Sequence, residues 1–475
     1  MNLPAALIRS LQNIKGFDEG AFKEVHQSGG QITSVRLNPK KIFNIQYLPV
    51  RQAGSIFNTQ LERVPWNEKG YYLKERPSFT LDPLFHAGAY YVQEASSMFL
   101  EEALKQTVDL IQPLKVLDLC AAPGGKSTLI QSIISKESLL VSNEVIKARA
   151  NILSENITKW GAANVIVTNN DPKDFQRLQN YFDVIVVDAP CSGSGLFRKD
   201  PNAINEWSEN NVQLCAQRQQ RILADIMPSL KDGSTLIYST CSYSQQEDEA
   251  VADWLIQEFK FESVKLKVDE AWGIVETVAE NTNAFGYRFY PDKVKGEGFF
   301  IAAFKKQASE MQVNDKIKNH PSATLRTKVK KKAAMLPAKE IEILKPYLIN
   351  ADDYFFIKQN EEVIAVPIHL EDDLVKIQSS LYIKKAGVTL GAIIRNELIP
   401  AHDMALSNII SNALPRLDVD TETALQYLRK QEIKIDTEIR GWVLLTHQQL
   451  PIGWIKIIPN RINNYYPKEW RILNK

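Results

Sequence analysis

Residues 116–126 read V-L-D-L-C-A-A-P-G-G-K, a short apolar run that stops at a Gly-rich turn. Two later apolar runs stop at a cysteine, F-D-V-I-V-V-D-A-P-C at 182–191 and L-I-Y-S-T-C at 236–241. Short apolar runs bounded by Gly, Pro or Asp are typical of the central strands of a parallel sheet. Because ligands bind beyond the carboxyl ends of such strands, Cys191, Cys241 and the Gly-rich turn are predicted to meet in one crevice.

The region from residue 116 to residue 304 alternates between strand and helix patterns. Strands are predicted at 116–119, 139–142, 165–168, 184–187, 235–238 and 299–304. Helices are predicted between them, including 146–160, 212–230 and 249–259. Strands separated by helices indicate an α/β fold with a doubly wound parallel sheet.

Smaller regions are predicted on either side of this sheet domain, which we place at residues 96–306. Residues 1–95 have the pattern of a mixed α/β module, S-V-R-L-N-P-K at 34–40 included. Residues 307–375 begin as a basic linker and are predicted to continue as a small central domain. Residues 376–475 contain G-W-V-L-L at 441–445 and G-W-I-K-I-I at 453–458, which predict a small β-rich domain.

The composition is that of an ordinary soluble protein, with 44% apolar and 24% charged residues among 475. No apolar stretch approaches the length of a membrane span, and residues 1–15 lack the layout of a secretory signal, so no membrane association is expected. The four cysteines have no C-x-x-C spacing, which argues against a metal site and against a disulfide framework. The sequence therefore predicts a cytoplasmic protein with reduced thiols.

Positive charge is concentrated after the predicted sheet, although the net charge of the chain is +1. Residues 305–345 contain eleven Lys or Arg against four Asp or Glu, and include Lys328, Lys330, Lys331 and Lys332. A solvated linker and a phosphate-binding segment both have this composition, and the sequence leaves the two interpretations open.

The Gly-rich turn, C-A-A-P-G-G-K-S-T at 120–128, differs from the known phosphate-binding loops. A Walker loop would require glycine at position 120, where Cys120 stands, and the G-x-G-x-x-G of dinucleotide-binding proteins is missing. A Gly-Gly pair at a strand–helix junction still lets a ligand approach the backbone closely. The alternative is a turn that serves packing alone.

Acidic residues follow the next two predicted strands. Glu144 ends the second strand, 20 residues after Gly124, and Asp171 ends the third. An acid in the first of these positions commonly accepts hydrogen bonds from ribose hydroxyls, although a single acid after a strand is more often a helix cap. Three successive strands that end in an acid or a Gly-rich turn favour a cofactor containing a nucleoside. S-adenosylmethionine fits best, because no phosphate cradle is present.

Cys191 follows Asp188-Ala-Pro at the end of the fourth predicted strand, where a sulfur nucleophile suits chemistry at a ring carbon. Addition of a thiolate to carbon 6 of a pyrimidine makes carbon 5 reactive enough to accept a methyl group, which is covalent catalysis. Helix N-termini, a sulfonium cofactor and Lys199 would activate such a thiol. Asp188 would hydrogen-bond the cytosine edge or protonate ring nitrogen 3.

A single buried cysteine is usually an inert apolar residue, and Cys215, inside a helical pattern, is interpreted in that way. Cys191 and Cys241 differ from it because both stand at strand ends of the same predicted sheet. The residues alone do not decide which of these two thiols attacks the ring.

These motifs resemble those of the Nop/Sun family of RNA cytosine-5 methyltransferases, and most closely its bacterial RsmF-like subgroup. The similarity covers roughly residues 1–305, and the C-terminal G-W-V-L-L, P-I-G-W-I-K and N-N-Y-Y-P-K-E-W-R segments resemble a PUA-like RNA-binding module. The matching motifs are S-V-R-L-N-P-K at 34–40, Q-E-A-S-S-M at 93–98, D-L-C-A-A-P-G-G-K-S-T at 118–128, D-A-P-C-S-G-S-G at 188–195, R-K-D-P at 198–201, S-T-C-S-Y at 239–243 and G-E-G-F-F-I-A at 296–302.

The resemblance implies a Rossmann-like class I methyltransferase that uses S-adenosylmethionine to methylate carbon 5 of cytidine in RNA. It assigns Cys241 as the nucleophile and Cys191 as the residue that aids release. DNA cytosine-5 methyltransferases instead use the cysteine of the Pro-Cys pair, the P-C thiol, which corresponds to Cys191 here, as the nucleophile. It also implies a set of cofactor contacts: Cys120, Ala121, Ala122, Pro123, Gly124, Gly125, Lys126, Glu144, Asp171 and Asp188. At Asp292 the chain departs from its relatives, many of which carry His or Gln there.

The RsmF-like subgroup modifies 16S rRNA near the decoding site, so the resemblance implies 16S rRNA or the small ribosomal subunit as partner, and no DNA. The alternatives are an RNA-binding assembly factor, which would need no paired thiols, and a DNA or tRNA cytosine methyltransferase. The target cytidine must be unpaired or flipped out, because double-stranded RNA hides its base edges. Residues outside the sheet would stack on bases or hold phosphates, unless they are ordinary core or surface residues: Tyr71, Tyr72, Arg76 and Lys456.

Overall fold

The computed structural model of the protein describes residues 2–41, 61–308 and 336–473. The basic cluster of Lys328 and residues 330–332 lies outside the described residues, so its role stays a prediction. Within the described ranges, no helix combines the length and the apolar character that crossing a membrane requires.

The N-terminal region is a small α/β unit with an antiparallel sheet. Its elements are α1 (Ala5–Leu11), α2 (Glu19–Gln27), β1 (Thr33–Leu37), β2 (Glu62–Arg63), β3 (Gly70–Leu73), α3 (Pro83–His86) and β4 (Tyr90–Val92). The strand order is β2-β3-β1-β4, and the buried side chains of β1 and β3 contribute to an apolar cluster under α3.

A large mixed sheet with helices on both faces forms the middle of the protein. Its elements are α4 (Leu100–Thr107), β5 (Lys115–Asp118), α5 (Gly125–Ile133), β6 (Leu139–Asn143), α6 (Lys147–Trp160), β7 (Val165–Thr168), β8 (Phe182–Asp188), α7 (Ala203–Glu206), α8 (Glu209–Ile226), β9 (Leu230–Thr240), α9 (Glu249–Phe259), β10 (Phe261–Val264), β11 (Val275–Val278), β12 (Phe285–Phe289) and β13 (Phe299–Lys306). Strands β5 to β9 are parallel, in the order β9-β8-β5-β6-β7. The core on one face includes side chains of α8 and α9, and the core on the other includes side chains of α4, α5 and α6.

The doubly wound α/β fold predicted from the apolar runs is confirmed, and each predicted strand is present. The sheet is mixed rather than wholly parallel, because β13 runs antiparallel to β9, with Ile301 opposite Ser239. The helix predicted for residues 212–230 ends at Ile226. Pro228 has no N–H to continue the helical hydrogen bonds, and Leu230 already begins β9.

Arg36 on β1 holds the N-terminal region against the large sheet domain. Its buried guanidinium donates hydrogen bonds to Gln93 Oε1 at 2.8 Å and to Thr128 Oγ1 at 2.6 Å, and it lies 4.7 Å from the ring centroid of Trp160. Burial lowers the pKa of Arg36 to about 9. Because Thr128 belongs to the first turns of α5, the N-terminal region supports the helix that follows the Gly-rich turn.

Two smaller sheets complete the described chain. The central elements are α10 (Ala338–Leu344), β14 (Tyr354–Gln359), β15 (Glu362–Pro367), α11 (Glu371–Ser380), β16 (Ile383–Ala386), β17 (Val388–Ile394), β18 (Glu397–Pro400) and α12 (His402–Leu406). The C-terminal elements are β19 (Arg416–Val419), α13 (Thr421–Leu428), β20 (Gly441–His447), β21 (Leu450–Ile458) and β22 (Arg461–Asn464). A boundary at residue 375 would divide the sheet β14-β15-β17-β18, so we propose a boundary between Ile410 and Arg416 instead.

The central region adds a strand to the large sheet. Strand β16 pairs antiparallel with β7, and Ala386 lies opposite Ile166. Next to this strand, the Asn170 side chain exchanges two hydrogen bonds of 2.9 Å with the backbone of Tyr382. Ile377 of α11 is buried in the same core as the sheet residues. The central region is therefore packed onto the sheet domain and shares its core.

Candidate active site

The loops after the parallel strands bring most of the sequence-predicted site residues to one edge of the sheet. The Gly-rich turn follows β5, Glu144 follows β6, and Asp188 ends β8. Cys241 comes directly after β9, the strand beside β8. The Gly-rich turn, Glu144, Asp188 and Cys241 thus lie at the carboxyl ends of the parallel strands.

The Gly-rich turn is held from both sides. Gly124 has φ +118°, a conformation that L side chains rarely adopt, and it precedes the first turn of α5. On one side, the Ala121 N–H donates to the carbonyl of Asn143 on β6 at 2.8 Å. On the other, Arg149 of α6 donates to the Ala122 carbonyl at 2.7 Å. The turn therefore has a fixed shape without a ligand.

Carboxylates surround this turn. Asp118 and Glu144 are buried, and both lie within electrostatic reach of Cys120, as does Asp188. Burial and these three negative charges together raise the pKa of the Cys120 thiol, so Cys120 stays protonated. A cleft with this charge favours a ligand that carries positive charge.

One oxygen of Asp118 lacks a partner among the described residues. Ser127 Oγ donates to Oδ2 at 2.6 Å, whereas Oδ1 is buried and accepts no hydrogen bond. Burial raises the pKa of Asp118 to about 7, against the opposing effects of Ser127 and Lys126. An unpaired buried carboxylate oxygen is costly, and it marks a position where a bound donor or cation would be stabilised.

The other two acids predicted to contact a cofactor make local contacts. Glu144 accepts a hydrogen bond from the Ile146 N–H at 2.9 Å and lies 3.3 Å from Arg149. Asp171 accepts from the Lys173 N–H at 3.2 Å and caps the short 3-10 helix Pro172–Arg177, as a lone acid after a strand often does. The structure therefore places Glu144 near the Gly-rich turn. Asp171, which follows β7, serves as a helix cap.

The sulfurs of Cys191 and Cys241 lie 3.0 Å apart, although 50 positions separate them in the sequence. Both residues are partly exposed. The contact with Cys241, followed by burial, raises the pKa of Cys191 well above its usual value. Cys215, by contrast, is buried in α8 as predicted from the helical pattern. Two thiols in contact at a sheet edge form a site for sulfur chemistry.

Lys126 is the cation of this site. Its ammonium lies 2.7 Å from Asp188 Oδ2, and Ser239 Oγ donates to Asp188 Oδ1 at 2.9 Å. Burial lowers the pKa of Lys126, but the charge and hydrogen bond of Asp188 and the charges of Asp118 and Cys241 together outweigh that effect and raise it overall. The same lysine lies within electrostatic reach of Cys241. Positive charge near the thiols thus comes from the Gly-rich turn.

Lys199, which the sequence suggested as a source of positive charge, lies elsewhere. It is exposed and lines a small cavity of about 40 Å³ with Arg76 and Glu94. Asp292 is nearly buried, with its carboxylate 3.3 Å from Lys293. The structure therefore gives neither Lys199 nor Asp292 a contact with the two thiols.

The suggested RNA contacts differ in exposure. Tyr71 and Tyr72 are buried in the N-terminal region, so their rings are core residues and are not free to stack on a base. Arg76 lies on the surface, 5.3 Å from the ring centroid of Phe79. Lys456 pairs with Glu397 at 3.0 Å and lies over Trp442. Arg76 and Lys456 keep their proposed role, whereas the two tyrosines lose it.

Sequence reasoning missed a buried carboxylate behind the thiols. Glu247 accepts hydrogen bonds from the residues that follow Cys191 and Cys241, Ser192 and Ser242. Its position in Q-Q-E-D-E, just before α9, has the ordinary composition of a helix N-terminus, so no signal in the sequence singles it out.

Within the described residues, no group of three or more His, Cys, Asp and Glu side chains has an arrangement that would hold a metal ion. The functional groups at this edge of the sheet include the two thiols, several carboxylates, the Lys126 ammonium and the Arg149 guanidinium.

Comparison with known proteins identifies relatives over nearly the whole chain. Residues 3–95 match the N-terminal domain of 16S rRNA methyltransferase RsmF, residues 106–305 match the 16S rRNA methyltransferase RsmB/F family, and residues 414–472 match the methyltransferase RsmF PUA domain. A solved structure described as a methyltransferase homolog from Pyrococcus horikoshii is 28% identical, with a TM-score of 0.50. It corresponds to 64% of this chain and to 100% of that chain.

Two bacterial relatives match across all these regions. Ribosomal RNA small subunit methyltransferase F of Vibrio vulnificus is 30% identical over 449 residues, which are 92% of this chain and 90% of the relative. The protein of the same name from Aeromonas salmonicida is 30% identical over 454 residues, with the same shares of both chains. With this identity over almost its full length, and with the sheet-edge thiols and Gly-rich turn described above, the chain belongs to the RsmF family of ribosomal RNA small subunit methyltransferases.

Proposed function

We propose that this protein transfers a methyl group from S-adenosylmethionine to carbon 5 of a cytidine in the RNA of the small ribosomal subunit. The observation that carries the proposal is the 3.0 Å contact between the sulfurs of Cys191 and Cys241, beside the Lys126–Asp188 ion pair. Two thiols at neighbouring strand ends suit covalent catalysis on a ring that sulfur can attack. A protein that merely bound RNA would need no such pair.

Cys241 acts as the nucleophile in this proposal. Its thiolate adds to carbon 6 of the cytosine, which forms a carbon–sulfur bond and makes carbon 5 nucleophilic like an enamine. Once carbon 5 carries the methyl group, its proton passes to water, the carbon–sulfur bond breaks with its electron pair on the Cys241 sulfur, and the ring regains its double bond. Lys126 lies within electrostatic reach of Cys241, so its positive charge stabilises the negative charge that the attacking sulfur carries.

Cys191 assists the release of Cys241. The raised pKa of Cys191 keeps this thiol protonated, which is unfavourable for a nucleophile. A protonated thiol 3.0 Å from the Cys241 sulfur can give its proton to that sulfur as it leaves carbon 6. The family resemblance assigns the two thiols in the same way. The opposite assignment, with the P-C thiol as the nucleophile, is the one that DNA cytosine-5 methyltransferases use.

Asp188 activates the ring. About a third of its side chain is exposed, and its carboxylate pairs with the Lys126 ammonium at 2.7 Å. An ionised carboxylate accepts a hydrogen bond from the amino group of cytosine, which orients the base.

The residues of the Gly-rich turn fit S-adenosylmethionine. This cofactor carries a sulfonium that supplies an electrophilic methyl group when bound. Residues 120–126, with Glu144 and Asp171, would hold it. The fit rests on charge: the unpaired Oδ1 of Asp118 and the carboxylates around Cys120 suit a cation.

Ribosomal RNA is the substrate that the relatives indicate. Vibrio and Aeromonas proteins similar over nine-tenths of this chain are named for methylation of small-subunit ribosomal RNA, and the matched C-terminal module is a PUA domain. We therefore propose 16S rRNA, near the decoding site as the family resemblance implies, as the molecule that is methylated.

Cysteine variants test the chemistry. Cys241→Ala should abolish methyl transfer and give no covalent RNA complex, because the bond to carbon 6 cannot form. Cys191→Ala should accumulate a protein–RNA adduct that survives a denaturing gel, because release fails. Cys215→Ala serves as the control, since that thiol is buried in α8. Adducts with Cys241→Ala that disappear with Cys191→Ala would reverse the assignment of the two thiols.

The substrate is tested separately by bisulfite mapping of ribosomal RNA from cells that lack the protein. A cytidine of 16S rRNA should lose its methyl group and regain it when the gene is restored. Unchanged methylation at every rRNA cytidine would exclude ribosomal RNA as the substrate.

A further inference from the structure

Glu247 lies behind the two thiol loops and contacts both of them. Its side chain is 0% exposed. One carboxylate oxygen accepts a hydrogen bond from the Ser192 N–H at 2.7 Å. The other accepts from Ser192 Oγ at 2.6 Å and from Ser242 Oγ at 2.5 Å. Ser192 directly follows Cys191, and Ser242 directly follows Cys241, so one carboxylate joins the residues next to both sulfurs.

The backbone of Glu247 is part of a second connection to the same loops. Tyr238 Oη donates to the Glu247 carbonyl at 2.6 Å and lies 3.0 Å from Gln219 Oε1. Gln219 Nε2 in turn donates to the carbonyl of Pro190, the residue before Cys191, at 3.0 Å. Tyr238 and Gln219 are both fully buried. The position of Glu247 is therefore fixed by β9 and α8 independently of its own side chain.

We infer that Glu247 is a positioning residue that sets the separation of the two sulfurs by accepting hydrogen bonds from the residues that follow each cysteine. Because hydrogen bonds to a charged acceptor are short and strong, two loops bound to one carboxylate cannot drift apart independently. In catalysis, Glu247 keeps Cys191 close enough to act on the adduct that Cys241 forms. That consequence rests on the proposed function, whereas the effect on the thiols does not.

Glu247 is distinct from the neighbouring acids of the same segment. Asp248 accepts a hydrogen bond from Thr240, the residue before Cys241, at 2.6 Å, but among the described residues it has no bond to those next to Cys191. Asp248 and Glu249 both pair with the buried Arg288, and Asp253 of α9 accepts hydrogen bonds from Asn281 and Thr282. Asp253 thus joins α9 to a different loop, and the contacts that it makes do not include either thiol loop. It provides a matched control: a buried carboxylate of similar bonding that should leave the thiols unchanged.

The inference is tested by the effective concentration of the Cys191 thiol at the Cys241 thiol, which follows from the equilibrium constant for forming the disulfide between them. The full-length protein is equilibrated with glutathione and glutathione disulfide, without RNA or cofactor. Each Cys191–Cys241 disulfide formed reduces one glutathione disulfide to two glutathione thiols, and peptide mass spectrometry measures its fraction. Thiols held in contact have a high effective concentration, which falls when they separate.

The effective concentration should be at least about threefold lower in Glu247→Leu than in Asp253→Asn. A smaller difference would overturn the inference. If Glu247→Leu does not fold, the double variant Ser192→Ala with Ser242→Ala decides by the same criterion, because it removes the two hydroxyl donors and leaves the carboxylate in place.

Turnover separates this inference from the proposed function. Glu247→Leu should lower kcat by roughly tenfold or more while the KM for RNA changes by less than about twofold, because the sulfurs move and the RNA surface does not. A changed effective concentration with unchanged kcat would uphold Glu247 as a positioning residue for the thiols and would contradict the covalent mechanism. An unchanged effective concentration would overturn the role of Glu247, whereas the adducts of the cysteine variants would still support the proposed function.

Discussion

At the scale of single residues, the unpaired Oδ1 of Asp118 indicates how the crevice selects a cation. The carboxyl is buried at the end of β5, next to the turn, and its pKa of about 7 leaves it partly protonated near neutral pH. A positively charged ligand stabilises the ionised form. Binding of such a ligand is therefore coupled to loss of a proton from Asp118.

This coupling predicts a pH dependence of stability in the ligand-free protein. The folded-state pKa of Asp118, about 7, lies above its ordinary value of 3.8, so the folded state binds the extra proton between these values. Asp118 therefore favours folding at low pH, and its contribution is lost as pH rises from about 4 to about 7, by at most roughly 4 kcal/mol. Thermal unfolding between pH 5 and 8 should show a larger decline in Tm for the parent protein than for Asp118→Asn.

The difference in Tm between the parent protein and Asp118→Asn is the quantity to follow, because other buried acids, such as Glu297, titrate equally in both proteins. Parallel curves of Tm against pH would contradict the burial of an ionisable Asp118. Addition of S-adenosylmethionine should reduce the difference at high pH, since the bound cation stabilises the ionised carboxylate.

At the scale of structural elements, the loops around the thiols leave no room for a side chain at Gly195. A Cβ at this position would lie 2.5 Å from the carbonyl oxygen of Gly298 and 2.7 Å from that of Cys241. The Gly195 N–H donates to the same Cys241 carbonyl at 2.8 Å. The loop that contains Cys191 and Gly195, the loop that begins at Cys241 and the loop before β13 therefore contact one another through their backbones.

Gly195→Ala should separate these loops. We expect a loss of about 1–3 kcal/mol in the free energy of unfolding, as for other insertions into packed sites, together with a strong loss of methyl transfer. Gly30→Ala is the control, because no atom lies within 4 Å of its added Cβ. Chemical denaturation and turnover measure both effects. Equal behaviour of the two variants would show that the loops adjust without cost.

The strands that carry the site could be predicted from the sequence, because apolar runs that end in Gly, Pro or Asp are a local signal. Cys191 and Cys241 were placed at one sheet edge on that basis, and they lie in contact. Glu247 could not be predicted, because its partners Ser192 and Ser242 meet it only after the chain has folded. The pairing of β16 with β7 at the edge of the sheet could not be predicted either, because pairing between distant segments leaves no local sequence pattern.

At the scale of the whole molecule, the central region and the methyltransferase sheet share one apolar core. Leu374 and Ile377 of α11 belong to the same cluster as Ile166, Phe182 and Ile185 of the sheet. Lys115 at the start of β5 also pairs with Asp373 of α11 at 2.5 Å. The two regions should therefore unfold together.

Variants of α11 test this unity. Ile377→Ala, at a side chain with 0% exposure, should lower the free energy of unfolding by about 2–5 kcal/mol. Val375→Ala, on the same helix but 57% exposed, should change it by less than about 0.5 kcal/mol. Calorimetry should show the main transition moving to lower temperature in Ile377→Ala. A separate early transition, with the main one unmoved, would mean that the central region unfolds alone.

The contact between Asn170 and Tyr382 has a consequence for target choice. The side chain of Asn170 is fixed to the backbone that leads into β16, and its chain neighbour is Asp171, at the carboxyl edge of the sheet. The C-terminal sheet in turn packs on α3 through a shared cluster that includes Ala87. RNA bound to that sheet would contact a surface that is connected by packing to the domain that carries the paired sulfurs. The spacing in the folded RNA between the segment bound to that sheet and the target base would then decide which cytidine reaches the thiols.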